Sequence, residues 1–344
     1  MVSLTIDEKK ISVPEGTTIL RAATLAGIRI PRLCFHKRLI PIGSCRMCVV
    51  EVEGYANPMT ACNTPVVEGI KVRTNSERLL KMRKDNLKLI LVNHPLDCPV
   101  CDAGGECELQ NIVYEFGIET AEYKTEKRQR STDYATPLIR YWPDRCIMCL
   151  RCVHACRNVT LGVLDVVGNG FDAQIAPVHK ERCTSCGECL RLCPTGALTE
   201  NLSREKGRRW MVNRVKTTCT YCGCGCQLEL NTANNRILGI TSNDDAGTNR
   251  GSLCVKGRFG YEFIGSDERL KKPLIKKDGA FQEASWDEAL GLVAEKLAAI
   301  KAANGANAIA GLASARCTNE ENYLMQKFMR AAIGTNNIDH CARL

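Results

Sequence analysis

Nineteen cysteines and one histidine of this 344-residue chain fall, by spacing alone, into five complete sets of four. They are Cys34, Cys45, Cys48 and Cys62; His94, Cys98, Cys101 and Cys107; two interlocked sets between Cys146 and Cys193; and Cys219, Cys222, Cys226 and Cys254. Only Cys224, Cys317 and Cys341 stand outside them. Sets at such short intervals confine the chain to several small domains, in which burial alone supplies too little stability. Aromatic residues, at 5% of the chain, add little bulk for cores. Covalent bridges or metal ligation must supply the remainder.

Disulfides belong to oxidising compartments, and Met1 to Lys10 (MVSLTIDEKK) contains neither an apolar signal core nor a twin arginine. No stretch reaches membrane-spanning length. A reducing, cytoplasmic setting is therefore expected, in which thiols persist and bind metal. The formal charge of +9 would suggest nucleic acid, but it counts every cysteine as neutral. Clusters with four thiolates carry about −2 each, and one with a histidine ligand about −1. Five such sites bring roughly −9, so the surplus Lys and Arg read as compensation. No aromatic platform accompanies the basic residues, which argues against nucleic acid.

The repeat carries the strongest signal. Cys146, Cys149, Cys152 and Cys156 recur as Cys183, Cys186, Cys189 and Cys193, each displaced by 37 residues. C-x2-C-x2-C-x3-C twice is the two-cluster ferredoxin arrangement, in which each fourth cysteine serves the other cluster. Cys146, Cys149, Cys152 and Cys193 are expected to hold one [4Fe–4S] cluster, and Cys183, Cys186, Cys189 and Cys156 the other. The second copy ends in Pro194, where the first has Arg157.

The first set, C-x10-C-x2-C-x13-C, suits a [2Fe–2S] centre, with Gly43 allowing backbone N–H groups close to sulfur. In the second, H-x3-C-x2-C-x5-C, His94 replaces a fourth thiolate on a [4Fe–4S] cluster and leaves it less negative, hence easier to reduce. The last set, C-x2-C-x3-C-x27-C, is followed by Val255-Lys256-Gly257-Arg258. Zinc is the alternative at the first two sets. Cys224 is read as a spectator thiol, and Cys317 and Cys341 as small buried residues.

Between these sites, Val2, Leu4 and Ile6 alternate, Asp7 to Lys10 turn, and Ile11 and Val13 return. A helix from Thr17 or Thr18 through Ala26 ends at Gly27, which completes a β-grasp opening. A strand is predicted over Cys45–Val52. A cationic helix is predicted over Ser76–Val92, with Leu79, Leu80, Met82, Leu87, Ile90 and Leu91 on its apolar side. Glu122–Tyr134 and Asn201–Lys216 read as linkers, the second a solvated connector rich in arginine. Gly168 and Gly170 read as a turn. Beyond Gly260 cysteine becomes rare. Ser285 and Glu288 open a helix through Lys301, Ala308–Ala313 reads as a buried strand and Asn319–Ala332 as the next helix, the start of an α/β domain.

These motifs carry a resemblance that spans the chain. The first two sets resemble the N-terminus of the large iron–sulfur subunit of complex I and of iron-only hydrogenases. Cys219–Cys254 with Leu253-Cys254-Val255-Lys256-Gly257-Arg258 resembles the cluster domain that opens molybdopterin oxidoreductases. Asn319-Glu320-Glu321-Asn322-Tyr323 and Gly334 through Leu344 are similar to formate dehydrogenase catalytic subunits. The combination resembles the alpha subunit of cytosolic NAD(P)-linked formate dehydrogenases. The implied fold is a multidomain α+β chain. It has a β-grasp [2Fe–2S] domain (1–78), a helical His/Cys [4Fe–4S] domain (79–121) and a two-cluster ferredoxin domain (137–200). A β-rich [4Fe–4S] domain (213–270) and the start of an α/β molybdopterin domain (271–344) follow.

The resemblance implies a Mo- or W-bis(pyranopterin guanine dinucleotide) that oxidises formate to carbon dioxide. Lys256 would be an electron relay between it and the Cys219 cluster, with the ferredoxin pair and the N-terminal clusters beyond. A partner is implied as well, either an NAD(P)- and flavin-binding diaphorase-type subunit or a ferredoxin. In that family a selenocysteine or cysteine metal ligand follows the motif that ends here at Leu344. A chain cut at a UGA codon, inactive by itself, is therefore expected. The alternatives are a stand-alone electron-transfer subunit and a complex I or hydrogenase subunit.

Overall fold

The computed structural model describes residues 1–119, 123, 127, 136–159, 162–202 and 207–342. The chain divides into two compact units, Met1–Met211 and Val212–Leu344.

In the first unit, β1 (Val2–Ile6) and β2 (Lys9–Val13) pair antiparallel, Val2 opposite Val13 and Ile6 opposite Lys9. The turn is shorter than expected. Asp7 and Glu8 alone make it, both left-handed at φ 45° and 70°, which matches the twist of the strands it joins. Lys9 and Lys10 consequently belong to β2. Helix α1 (Ile19–Leu25) begins at Thr18, whose side chain accepts from the Arg21 N–H. Strands β3 (Val49–Val52), β4 (Met59–Thr60) and β5 (Lys71–Arg73) complete a sheet of order β2-β1-β5-β3-β4, with β1 and β5 parallel. Ile6, Ile19, Leu20 and Val50 fill its core together with Cys48 and Cys62.

The strand expected from Cys45 starts only at Val49. Residues 45–48 form a loop with Arg46 left-handed at φ 54°. A strand would have sent Cys45 and Cys48 to opposite faces. Helix α2 (Glu77–Asn93) is capped by Ser76 and buries Leu79, Arg83, Leu87 and Leu91. Leu80, expected on the apolar side, is exposed, and Arg83 takes a buried place. Helix α3 (Glu108–Glu115) adds Leu109 and Ile112 to a core shared with Leu87, Leu91, Leu33 and Met47. Most of the Glu122–Tyr134 linker lies outside the described residues, as do Arg204 and Lys206 of the second linker.

The cysteine repeat folds as a structural repeat. Strand β6 (Ile139–Tyr141), a cysteine loop, α4 (Arg151–Val159) and β7 (Leu164–Val167) are followed by β8 (Gln174–Pro177), a second cysteine loop, α5 (Glu188–Leu192) and β9 (Leu198–Glu200). β6 pairs with β9, and β7 with β8 across the expected Gly168–Gly170 turn.

In the second unit, β10 (Asn213–Thr218), β11 (Gln227–Ala233) and β12 (Arg236–Thr241) form an antiparallel sheet beside α6 (Val255–Phe259). A hairpin of β13 (Leu274–Lys277) and β14 (Ala280–Glu283) leads to α7 (Trp286–Asn304), whose capping box joins Ser285 and Glu288 as predicted. β15 (Gly311–Ala313), α8 (Asn319–Lys327) and β16 (Ile338–His340) form a parallel strand–helix–strand unit, as an α/β start requires.

Three expectations fail in this unit. The strand is shorter than Ala308–Ala313, and Leu312 is 78% exposed because strand alternation turns it away from Met329, which faces Gly311. The helix expected to Ala332 is α-helical only to Lys327 and continues as a π-helical turn, Phe328–Ile333, closed by left-handed Gly334. Cys317 and Cys341 are exposed. Cys341 follows β16 and lies 3.7 Å from the Ser314 hydroxyl. Among the described residues no helix is long and apolar enough to cross a membrane.

Candidate iron–sulfur centres

Four of the five sets singled out by spacing are drawn together, though not equally, and in the fifth, the His94 set, the three cysteines are. No cysteine of the described residues is in a disulfide. In the first set Cys34 lies within hydrogen-bond reach of Cys45 and Cys62, and Cys48 within reach of Cys62. Shared protons hold the Cys34 thiol down and push Cys45 up. The Cys34 N–H approaches Cys45 Sγ at 3.5 Å. Arg83 closes this site from behind. Its Nε donates to the Met47 carbonyl (3.1 Å) and its Nη2 to Val49 (2.6 Å) and Thr74 (2.9 Å).

In the second set Cys98, Cys101 and Cys107 feel one another's charge, and burial pushes the Cys107 thiol up to about 11. Burial lowers the His94 imidazole to about 4. Its Nδ1 is buried without a hydrogen-bond partner among the described residues. A neutral imidazole with an unsatisfied buried nitrogen has the chemistry of a metal ligand. Arg145, buried, donates to Asp97 Oδ2 from Nε (3.2 Å) and Nη2 (2.5 Å), and its charge bears on Cys101.

The two interlocked sets converge as the spacing requires. Cys149 senses Cys193 and Cys146, and Cys152 is surrounded by the same three. Cys189 senses Cys186, Cys156 and Cys183. Burial raises the Cys149, Cys152 and Cys189 thiols. Each foursome lines its own small pocket of mostly apolar walls, one around Cys146 and one around Cys156. The backbone repeats with the cysteines. Met148 and Ser185 are left-handed at φ 52° and 51°, and Leu150 and Gly187 at 61° and 76°. For Leu150 that conformation is strained, and it turns the loop so that N–H groups face sulfur, with Met148 N–H 3.4 Å from Cys146 Sγ. Position 151 and its equivalent 188 are both buried ionic residues of opposite sign. Arg151 donates to both oxygens of Glu108 (2.6 and 2.9 Å) and to the Phe35 carbonyl (2.8 Å). Glu188 meets Arg38 (3.4 Å) and Arg191 (3.3 Å).

The segment after Cys193 also forms the wall of the second site. The Pro194 carbonyl accepts from the Glu108 N–H at 3.0 Å and lies 3.6 Å from Cys107 Sγ. Gly196 sits so close to Cys101 that a Cβ there would fall 2.3 Å from its sulfur.

The last set, in the second unit, is the open one. Cys219, Cys222, Cys224 and Cys254 all bear on Cys226, but Cys222 and Cys254 are exposed. The Cys224 N–H and thiol lower the Cys222 thiol, and Arg316 and Lys256 add to this. Lys256 thus stands in α6 with its charge bearing on the site. Gly257 of the same helix would place a Cβ 3.6 Å from Cys219 Sγ.

Four arginines (Arg83, Arg145, Arg151 and Arg258) but a single acid, Glu188, are buried among the described residues. Arg145 and Arg151 have partly exposed carboxylates, Asp97 and Glu108, as partners, and thiolate-bound clusters would add further negative charge near them. Of these only Arg258 stands in a motif the sequence marks, because basic residues are ordinarily read as surface. Gly196 and Arg145 had a faint signal in their places beside ligand cysteines. Among the described residues no group of three or more His, Cys, Asp or Glu side chains is arranged to hold a single metal ion.

Apolar four-thiol pockets, N–H groups turned to sulfur and a cationic interior define a multi-centre iron–sulfur protein of the oxidoreductase class. Comparison with known families narrows this. Residues 1–77 match the 2Fe-2S iron-sulfur cluster binding domain. Residues 83–122 match the NADH-ubiquinone oxidoreductase-G iron-sulfur binding region, and 136–199 the ferredoxin-like domain of NADH-quinone oxidoreductase subunit 3. Residues 212–266 match the molybdopterin oxidoreductase Fe4S4 domain, and 269–344 molybdopterin oxidoreductase.

Over 100% of its length the chain is 48% identical to the NADPH-Fe(3+) oxidoreductase subunit alpha of Geobacter sulfurreducens and 40% identical to an NADH-quinone oxidoreductase subunit of Rhizobium meliloti, covering 40% of each. It is 33% identical, over 99% of its length, to a protein of Staphylococcus aureus named "Putative formate dehydrogenase", of which it covers 39%. A solved chain of NAD+-reducing [NiFe]-hydrogenase in the H2-reduced state matches at a TM-score of 0.57 and 30% identity, covering 60% of this chain and 90% of that one. The chain carries, in order, domains matching those of NADH-quinone oxidoreductase G-like iron–sulfur subunits and then the opening of a molybdopterin oxidoreductase. It spans about two fifths of the length of the relatives it matches.

Proposed function

We propose that these residues are the electron-transfer portion of a longer, cytoplasmic, NAD(P)-linked formate dehydrogenase alpha subunit. The reading assigns a [2Fe–2S] cluster to Cys34, Cys45, Cys48 and Cys62, and [4Fe–4S] clusters to the other four sets. The domain limits 1–78, 79–121, 137–200, 213–270 and 271–344 go with it. When bound, the clusters supply one-electron carriers, and a pterin-held molybdenum or tungsten supplies two-electron chemistry on the substrate. The chain's own residues hold thiolates in place, neutralise them and keep water away. Lys256, beside Cys254 and bearing on Cys222, is assigned as the relay residue toward the pterin.

The observation that carries the reading is the Pro194–Gly196 segment, which ties a ligand of the Cys146 site to the wall of the His94 site. Isolated storage or structural sites have no need of such a junction. A flavin- and NAD(P)-binding subunit or a ferredoxin is the implied partner, since no G-x-G-x-x-G following a strand occurs in the chain.

A second reading keeps the electron path but not formate. It is favoured by the 48% identity to the Geobacter protein, against 33% to the Staphylococcus one. Here NADPH would be the electron source and the substrate of the molybdopterin domain would be another. The full-length protein with its partner subunit separates the two. Under anaerobic conditions, formate should reduce the clusters, seen as paramagnetic signals. Reduction by NADPH but not by formate would replace the first reading with the second. Little iron and acid-labile sulfide would remove both.

A further inference from the structure

We propose that Arg208 is a positioning residue for the His94, Cys98, Cys101 and Cys107 site, and that its charge sets the potential of the cluster held there. The inference rests on the cluster assignment above. The stretch around Arg208 reads from sequence as a solvated connector, yet Arg208 is turned onto the loop that carries two of the four ligands. Its Nη1 donates to the carbonyls of Gly104 (3.1 Å) and Cys101 (3.3 Å), and its Nη2 donates to that of Pro99. All three lie within or beside the Cys98–Cys101 turn. A Cβ on Gly104 would meet Nη1 at 2.4 Å, and one on Gly105 would meet the Trp210 ring at 2.8 Å. A Cβ on Gly104 would also fall 2.6 Å from the Cys98 carbonyl oxygen, and Gly105 is left-handed at φ 89°, so glycine suits both positions of the loop against the connector.

An irregular loop has carbonyls that no helix or strand satisfies. Three of them converge on one side here, and the planar guanidinium fork, with five donors, serves them together in a way a lysine cannot. Anchored from outside, the loop keeps the Ala103 N–H on the Cys101 sulfur. The second effect is electrostatic. A fixed positive charge bound to the carbonyl of a ligand cysteine favours the more negative, reduced state of the centre. His94 in place of a thiolate acts in the same direction, so the two devices work together at this site.

The test uses the full-length protein with its clusters, prepared anaerobically, and the substitutions R208Q and R208K. A redox titration followed by electron paramagnetic resonance reads the midpoint of this centre, with the other four signals as internal controls. R208Q should move this midpoint alone to more negative potential and speed loss of iron from this site to a chelator. R208K keeps the charge but not the fork, and should hold the midpoint near its original value while iron is still lost faster.

An unchanged midpoint in R208Q with the signal intact would overturn the inference. Faster iron loss in R208Q without any shift would also overturn it, leaving Arg208 as scaffold only. If R208Q cannot keep the cluster, R208K decides, and native iron retention there would overturn it. Absence of the signal from the unsubstituted protein would instead strike down the cluster assignment.

Discussion

Each site of the ferredoxin repeat uses four thiols, as does the Cys219 site, but in opposite surroundings. In the repeat, Cys149, Cys152 and Cys189 are buried, and burial drives their thiols upward. At the Cys219 site, Cys222 and Cys254 are exposed and the Cys222 thiol is lowered. A buried thiolate without its metal is expensive, so metal and fold are acquired together in the repeat. The exposed site can lose its metal and leave β10–β12 standing. The same contrast runs through the cores. Unit one buries side chains on most of its helices, whereas α7 buries none and leaves Trp286 68% exposed.

The largest expected effect breaks the contrast where it is sharpest. Cys149→Ser should remove one cluster and the ordered fold of residues 137–200 with it, seen as lost hydrogen-exchange protection across β6–β9. Cys222→Ser should cost only its own cluster and leave protection elsewhere unchanged, and Cys224→Ser should cost no iron at all. Equal collapse in the first two would show that the sites are coupled to folding alike.

Next comes Arg83→Met, which strands three buried carbonyls and should destabilise the β-grasp region by about 3 kcal/mol or more, measured by denaturant unfolding. A cost below about 1 kcal/mol would mean that water replaces the guanidinium.

The third prediction concerns pH. His94 is held neutral down to about 4 when folded, against the ordinary 6.5. The unfolded chain therefore binds the extra proton between those values, so apoprotein stability should fall as pH drops from 6.5 toward 4. His94→Gln should flatten that slope, and an unchanged slope would place the effect elsewhere. The smallest effect is Ser285→Ala, at about 1 kcal/mol of α7 stability, with no change in iron content.

Much of the ligand pattern was readable because cluster ligation imposes spacing. The interlocking of Cys156 and Cys193, the β-grasp hairpin and the start of α7 follow from local rules of that kind, whereas α7 runs three residues past the expected Lys301 to Asn304. What escaped was tertiary. Arg83 and Arg208 look like surface residues until the carbonyls they serve are brought near by distant chain. Residues 45–48 were expected to share the strand of 49–52 but form a loop, with Arg46 left-handed. Cys317 and Cys341 were read as buried from the habits of cysteine, yet the short parallel pair β15–β16 leaves both at the surface.

Positions 151 and 188 carry the history of the repeat furthest. Copying a segment yields two sockets of one shape, and the torsions at 148 and 185, or 150 and 187, still agree to within 15°. The buried ionic residue that follows is Arg in one copy and Glu in the other, each with its own counter-ions. Twin sockets have thereby become electrically distinguishable without any change of ligand, so the two halves are free to take different places in a relay.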